Sequence, residues 1–541
     1  MKDISSTGSF IDFTLENYIY VDKTEYIPKL VKLKRVFISR PRRFGKSLTL
    51  DTIATLFETG VEPYFKGTWI YDKWTEPTYP VLRLNFLNFD KNSLEKFNNK
   101  LNSKITEFAE LNHVTTYKEK EEAEDSIDHL LEQLRLEGRQ IVILIDEYDC
   151  QMTANINNET LYKQFQEKIK SFYANIKDKF AIKFLGITGV TRLKDVSIFS
   201  VGSDINDITN ASAYSQMIGF TRDEIKKYYI DYLKLASSYE NNCSVDDVTD
   251  TQLESMLDMM AQNYDGYCFD EDYEKKVFST WSVNKFFQTM IEKKKVQFGE
   301  YWYDNGGLPS ILVNYLKTHE LNIFEYLDKD KFLKVSSDDF KNPTALTTIN
   351  QNVLMCQTGY LTLRSDLNKT STVALGIPNG EIYKALNRLL ANNIFKGNTD
   401  ITDDYGRSLL EVGTVDDIIN LFNSALNSVS YDNYPIVSES SVQNMLKLYL
   451  LGAHQKVLSE LHEAKGRADL VVNTDNRRIV FEFKYAKNET EAKSKLLDAV
   501  EQIKTRDYGN ILPKKNELIR IAAVFNADPK VRAFTENQIV P

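Results

Sequence analysis

The tripeptide Gly45-Lys46-Ser47 has the residue types and order to hold a chain of phosphates. Glycine lets the backbone approach an anion, lysine reaches the β- and γ-phosphates, and the serine hydroxyl can ligate Mg²⁺. Asp146-Glu147 offers the matching carboxylates. Asp146 suits the Mg²⁺ shell, and Glu147 suits the polarising of an attacking water. A second set, Asp469, Glu482 and Lys484, lies far along the chain. Two carboxylates with an amine suit Mg²⁺ or Mn²⁺. Such a cation polarises a scissile phosphate and lowers the pKa of a bound water, while Lys484 positions that water or stabilises developing charge.

The elements around the first set are those a phosphate-binding loop requires. Val36-Phe37-Ile38 reads as a short buried strand that breaks at Pro41. Leu48, Leu50, Ile53, Ala54 and Phe57 follow near helical spacing. The loop between is unusual, because Arg40 stands where the standard pattern has its first glycine, and Pro41 has no N–H to donate. Arg40, Arg42 and Arg43 could bind phosphate instead; the plain alternative is a basic turn that contains Gly-Lys-Ser. The run Ile141-Val142-Ile143-Leu144-Ile145 favours the first reading. Continuous aliphatic residues predict a central parallel strand, and Asp146-Glu147 then sits at its C-terminal end, where α/β sheets bind ligands.

Tyr79 to Phe86, with Pro80 at its start, and Phe180 to Gly189 read as further strands. Ile127, Leu130, Leu131 and Leu134 mark one helix face, and Thr221-Arg222-Asp223-Glu224 is a capping box. Strands alternating with helices predict an α/β domain with a parallel sheet. From about residue 270 to 430 the chain reads as mainly helical, with strands near 359–363 and 373–375 and loops at 305–307, 397–406 and 428–433.

Around the second set, residues 466–472 and 478–484 read as two strands joined by the turn Asn473-Thr474-Asp475-Asn476. Period two puts Val480, Glu482 and Lys484 on one face and Ile479, Phe481 and Phe483 on the other. A hairpin of this spacing brings Asp469 beside Glu482.

A length of 541 residues allows two or three domains. The net charge of −10 argues against a chain that coats nucleic acid through bulk charge, so any such contact needs a local basic groove. Cys150, Cys243, Cys268 and Cys356 are too scattered for a zinc site or a disulfide scaffold. No apolar stretch approaches a membrane span, and the N-terminus lacks a signal-peptide core, so no membrane partner and a cytoplasmic location are expected.

Tyr20-Val21-Asp22-Lys23-Thr24, Arg40-Pro41-Arg42-Arg43-Phe44-Gly45-Lys46-Ser47-Leu48 and Ile145-Asp146-Glu147-Tyr148-Asp149 together resemble the AAA-ATPase-like family. Its members often carry a C-terminal nuclease-like domain of the PD-(D/E)XK superfamily, and the arginine-rich loop resembles the family's own variant. The resemblance implies an α/β P-loop NTPase parallel-sheet domain over 1–270, a mainly helical lid or connector over 271–430, and an α/β PD-(D/E)XK nuclease-like domain over 431–541. It places Asp22 and Lys23 near the nucleotide. It offers Thr188 or Thr191 as the γ-phosphate sensor and Arg192 as a transition-state arginine, acting in cis or in trans. Tyr264 to Phe269 and Trp281-Ser282-Val283 resemble later family signatures and read as packing and turns.

In the nuclease-like domain the resemblance makes Asp469 and Glu482 metal ligands, Lys484 the motif lysine, and Gln502 an assisting residue with Tyr508 nearby. Glu460 or Glu463 would be the upstream acid. The implied cofactors are ATP and Mg²⁺, with Mn²⁺ as the alternative cation. The implied partners are nucleotide, DNA or RNA at the C-terminal domain, and other copies of the chain. The expected function is ATP binding and hydrolysis coupled to a metal-dependent nucleic-acid phosphodiesterase. The competing class is a nucleotide-dependent switch or assembly protein whose C-terminal domain binds nucleic acid or protein without cutting.

Overall fold

The computed structural model of the protein describes residues 1–177, 179–193, 205–304, 310–316, 319, 323–343, 345–346, 348–395, 405–453, 456–463, 466–509 and 517–541. The expected turn at 305–307 and the loop residues 397–404 lie outside these residues, and a helix, Tyr405–Val412, already begins at the end of that loop. Two compact units emerge. One comprises Met1–His319 and Phe332–Ile382, the other Glu320–Lys331 and Tyr383–Pro541. The helical stretch 271–430 is divided between them.

The first unit is built on a sheet of β1 (Arg35–Ser39), β2 (Val81–Asn85), β3 (Ile141–Asp146), β4 (Ile182–Gly189) and the short β5 (Asn206–Asp207). Their order is β2-β3-β4-β1-β5, with every pairing parallel. Every residue of β3 is buried, as its aliphatic run requires of a strand covered on both faces. The register aligns the carboxyl ends: Ser39 lies beside Gly189, and Asp146 beside Asn85. The loop after β1 and the carboxylates after β3 therefore share one edge of the sheet. The Lys46–Thr59 helix follows the loop, with Gly45 as its N-cap at φ +102°. Only glycine takes that angle without strain.

Beyond the sheet, the helices Arg222–Tyr228, Ile230–Asn241, Asp250–Tyr264 and Thr280–Lys293 enclose an apolar cluster that includes Tyr229, Met256, Phe286 and Phe287. Thr221 and Glu224 close the expected capping box. A small antiparallel sheet joins β6 (Leu333–Ser336), β7 (Thr362–Leu363) and β8 (Thr372–Gly376) in the order β6-β8-β7. β6 was not legible in the sequence, because its two buried residues, Leu333 and Val335, are too few to set a period.

The second unit holds β9 (Lys456–Glu463), β10 (Gly466–Asn473), β11 (Arg477–Ala486), β12 (Glu517–Asn526) and β13 (Ala533–Ile539), ordered β13-β12-β11-β10-β9. β9, β10 and β11 pair antiparallel, while β11 and β12 run parallel through the Glu489–Arg506 helix. Ala499, Val500 and Ile503 of that helix pack with Val471 and Val480. On the other face Phe481 and Phe483 stack on one another, with Phe422 and Phe534 against them. The period-two assignment of β11 therefore holds, and its carboxylate face is the one the helix covers.

Candidate functional sites

The loop between β1 and its helix folds around Lys46. The Lys46 ammonium is buried and donates to the carbonyls of Arg40 at 3.1 Å and Pro41 at 3.2 Å, with the Glu147 carboxylate 3.7 Å away. Ser47 Oγ donates to Asp146 Oδ2 at 2.6 Å. The other Asp146 oxygen accepts from Thr188 Oγ1 and, at 3.0 Å, from the Glu147 N–H. Glu147 sits at φ +52°, a turn that aims its carboxyl back at Lys46. Burial pushes that carboxyl's pKa up, against the pull of Lys46. Thr191, the other candidate sensor, is committed elsewhere: its N–H and hydroxyl both donate to Asp149 Oδ2.

A cavity of about 360 Å³ opens beside the loop. It is lined by residues 42–49 and Glu147 together with residues 5–8, 19–21 and 217–220. Lys46, Ser47 and Arg42 in this lining are groups that suit phosphates. Ile19, Val21, Ile27, Leu30, Met217 and Ile218 give the remainder an apolar wall, the usual composition of a ligand pocket.

The structure does not gather the three arginines. The Arg40 N–H bonds to the Gly189 carbonyl at 3.1 Å and so continues the β1 ladder. Its side chain is directed beneath the loop, where it is 1% exposed and donates to the carbonyls of Ser39 and Thr209. The guanidinium lies 4.2 Å from the centre of the Phe269 ring, and burial lowers its pKa to about 9. Arg43 donates to the carbonyls of Tyr301 at 2.8 Å and Trp302 at 3.1 Å and stacks over Trp281. Arg42 lines the cavity and makes no side-chain hydrogen bond among the described residues. Arg192 is ion-paired with Asp207 and faces the small cavity that Arg40 lines, not the one beside Lys46.

Asp22 and Lys23 are also engaged. Asp22 accepts from the N–H and hydroxyl of Thr24, and Lys23 donates to Glu224 and to the Gln216 carbonyl. Lys23 does line the cavity. The aromatic segments read as packing turn out to brace the loop itself. Phe44 lies edge-on to Tyr267 and Phe269, with ring centres 4.7 and 5.4 Å away. The Trp302 N–H is in turn held by the buried Glu381, whose pKa burial raises to about 8.

In the second unit Asp469 and Glu482 meet where β10 and β11 pair. Asp469 Oδ2 accepts the Phe483 N–H at 2.8 Å. Glu482 is fully buried; one oxygen accepts from Lys484 Nζ at 2.7 Å, and the other, Oε2, has no hydrogen-bond partner. Burial raises the Asp469 pKa to about 6, opposed by the Phe483 N–H and Lys484. Burial, and then the Asp469 charge, raise that of Glu482 to about 7. An unpaired buried carboxylate oxygen beside a second carboxylate is costly by itself. Two oxygen donors of this kind are the chemistry that would hold a hard divalent cation. Among the described residues no group of three or more His, Cys, Asp or Glu gathers as a metal cage.

The sequence reading missed Glu439, at the start of the Glu439–Gly452 helix, which lies 3.5 Å from Lys484 Nζ. Only the serine N-cap before it, Ser438, was locally visible. The side chains of Glu460 and Glu463 lie outside the described residues. Gln502 reaches Tyr508 Oη at 3.3 Å, and Arg506 joins the same oxygen at 2.9 Å.

Comparison with known proteins accords with both halves. Residues 5–199 match the AAA-ATPase-like family, described as predicted AAA-ATPase, and residues 437–535 match the PD-(D/E)XK nuclease superfamily. An uncharacterized protein in the vnfD 5′ region of Azotobacter chroococcum is 26% identical over 533 residues, covering 95% of this chain and 94% of its own. Among solved structures, Cdc6p from Pyrobaculum aerophilum aligns at 11% identity over 69% of this chain and 96% of its own, with a TM-score of 0.27. The Aeropyrum pernix ORC1 protein, solved in complex with DNA, aligns at 9% identity over 71% and 97%, also at 0.27. Residues 5–199 thus carry an AAA-ATPase-like domain, and residues 437–535 carry a PD-(D/E)XK nuclease superfamily domain.

Proposed function

We propose that the protein binds and hydrolyses ATP at the Lys46 loop and cuts nucleic-acid phosphodiester bonds at the Asp469–Glu482 centre. At the first site Lys46 meets the β- and γ-phosphates, Ser47 and Asp146 take Mg²⁺, and Glu147 polarises the attacking water. Lys46 would exchange its two carbonyl partners for phosphate oxygens. Arg42 adds a guanidinium at the cavity that makes no side-chain hydrogen bond among the described residues, and the apolar wall takes the base.

At the second site a divalent cation would supply Lewis-acid activation of the scissile phosphate and of water. Asp469 and Glu482 hold it, and Lys484 orients the nucleophile or stabilises charge as it develops. Gln502 acts from the Tyr508 side. The domain boundaries that go with this reading are 1–270, 271–430 and 431–541. The observation that carries the nuclease assignment is the buried Glu482 Oε2, left without a partner beside Asp469.

Incubating the purified protein with single-stranded DNA, duplex DNA and RNA in Mn²⁺ or Mg²⁺ tests it. Cleavage that disappears in Glu482→Ala is expected; cleavage unchanged in that variant overturns the assigned centre. The net charge of −10 favours a second reading, a nucleotide-dependent switch that binds without cutting. Nucleotide-dependent binding with no cleavage in either metal would select it.

A further inference from the structure

The Glu489–Arg506 helix, which covers the carboxylate face of the second sheet, ends in an arginine that none of the motifs uses. Arg506 Nη1 donates to Tyr508 Oη at 2.9 Å, and Gln502 Nε2 bonds to the same oxygen at 3.3 Å. The Tyr508 ring is fully buried in the cluster of Val480, Ile503 and Ala522, so its hydroxyl is a fixed anchor. Arg506 itself is exposed. The next residue leaves the helix at φ +49°, and its carboxylate pairs with Arg520. The carboxylates whose charge acts on the guanidinium are those of Glu482 and Asp469.

Charge shows what such a group is for. Asp469, Glu482 and Glu439 bring three negative charges to the centre, and Lys484 brings one positive charge. A bound divalent cation offsets the difference and leaves the centre neutral. A phosphodiester carries a negative charge, and a centre of zero net charge gives it no long-range attraction beyond the contact of one oxygen with the cation. A solvent-facing guanidinium at its rim supplies that attraction, and its planar fork suits two phosphate oxygens.

We propose that Arg506 is a phosphate-binding residue of this centre, which clamps the nucleic-acid backbone at the phosphate next to the scissile one. Tyr508 and Gln502 are its positioning residues. The proposal rests on the reading of the Asp469–Glu482 centre as a nuclease and adds to it the residue that recognises the backbone.

The test uses the full-length protein and fluorescent single-stranded DNA, duplex DNA and RNA of one sequence. Affinity is measured by anisotropy in Ca²⁺ across a salt series, and cleavage in Mn²⁺. For Arg506→Ala, about tenfold weaker binding is expected, with a salt slope smaller by about one ion. KM rises more than kcat falls. Arg506→Lys keeps the wild-type salt slope but recovers only part of the affinity, because an ammonium lacks the planar fork, and Tyr508→Phe loses part of it without a change in salt slope. If Arg506→Ala binds and cleaves as the wild type does while Glu482→Ala abolishes cleavage, this inference is overturned and the nuclease centre stands. If Arg506→Lys is as poor as Arg506→Ala and both lower the thermal midpoint, Arg506 is a structural residue and the inference is again overturned. If the wild type neither binds nor cleaves any of the three, the nuclease reading falls and takes the inference with it.

Discussion

Ser47 Oγ and Asp146 Oδ2 stand 2.6 Å apart, one at the start of the helix after β1 and the other at the last residue of β3. The hydroxyl and the carboxylate that would share a cation are thus already in contact. β4 lies between the two strands and sets their spacing, and its Thr188 holds the other Asp146 oxygen.

Lys46→Ala should weaken ATP binding by about 10- to 100-fold, the value of a charge-assisted contact to phosphate. Glu147→Gln should keep the affinity and slow turnover by about 100-fold or more, as expected on loss of a general base. Calorimetry with ATP and Mg²⁺, followed by phosphate release, reads both. Wild-type affinity in Lys46→Ala would sink the phosphate-loop assignment.

The arginines should separate by role. Arg42→Ala is expected to lower ATP affinity about tenfold and to leave adenosine binding unchanged, because its guanidinium faces the cavity. Arg40→Ala should instead cost about 1–3 kcal/mol of stability, since it removes a buried donor to the carbonyls of Ser39 and Thr209. Chemical denaturation distinguishes the two. Equal loss of ATP affinity in both variants, with equal stability, would contradict the placement of Arg40.

The buried carboxylates give the second unit a pH dependence of defined sign. Asp469 and Glu482 have pKa values raised to about 6 and about 7 from ordinary values of 3.8 and 4.5. The folded state therefore holds protons that the unfolded state releases. Their contribution is fully present below about pH 4 and is lost as pH rises through 6 to 7. Glu439 adds to the repulsion, and Lys484 opposes it. In the absence of metal the thermal midpoint of this unit should fall between pH 5 and 8, and Glu482→Gln should flatten the fall. Mn²⁺ should restore the midpoint and release protons on binding. A midpoint that rises over the same interval, in metal-free buffer, would reverse the assignment.

What the sequence revealed was local. The aliphatic run of β3, the alternation of β11 and the Thr221 capping box each follow from neighbouring residues, and each appears in the structure. What it concealed was long-range. Arg40 stands in a loop motif, yet its fate is decided by Thr209 and Phe269, which approach only when β5 and the segment after Tyr264 are in place. Glu439 is an ordinary first-turn glutamate until the sheet brings Lys484 to it. No period or motif in one dimension carries either fact.

The same long-range packing changes where the second unit should be cut. The Val415–Asn427 helix sets Phe422 against Phe481, ring centres 5.3 Å apart, and its Asn423 exchanges hydrogen bonds with the backbone of Phe534. Phe481 belongs to β11, whose opposite face carries Glu482. A fragment beginning at residue 431 loses this helix and exposes the Phe481–Phe483 face, whereas one beginning at 383 keeps it. The longer fragment should unfold cooperatively. The shorter one should lose at least the cost of truncating a buried phenylalanine, about 3–5 kcal/mol, a large part of a domain's stability. Phe422→Ala in the longer fragment should cost a similar amount. Thermal melts followed by circular dichroism read all three, and equal midpoints for the two fragments would show that the sheet stands without this helix.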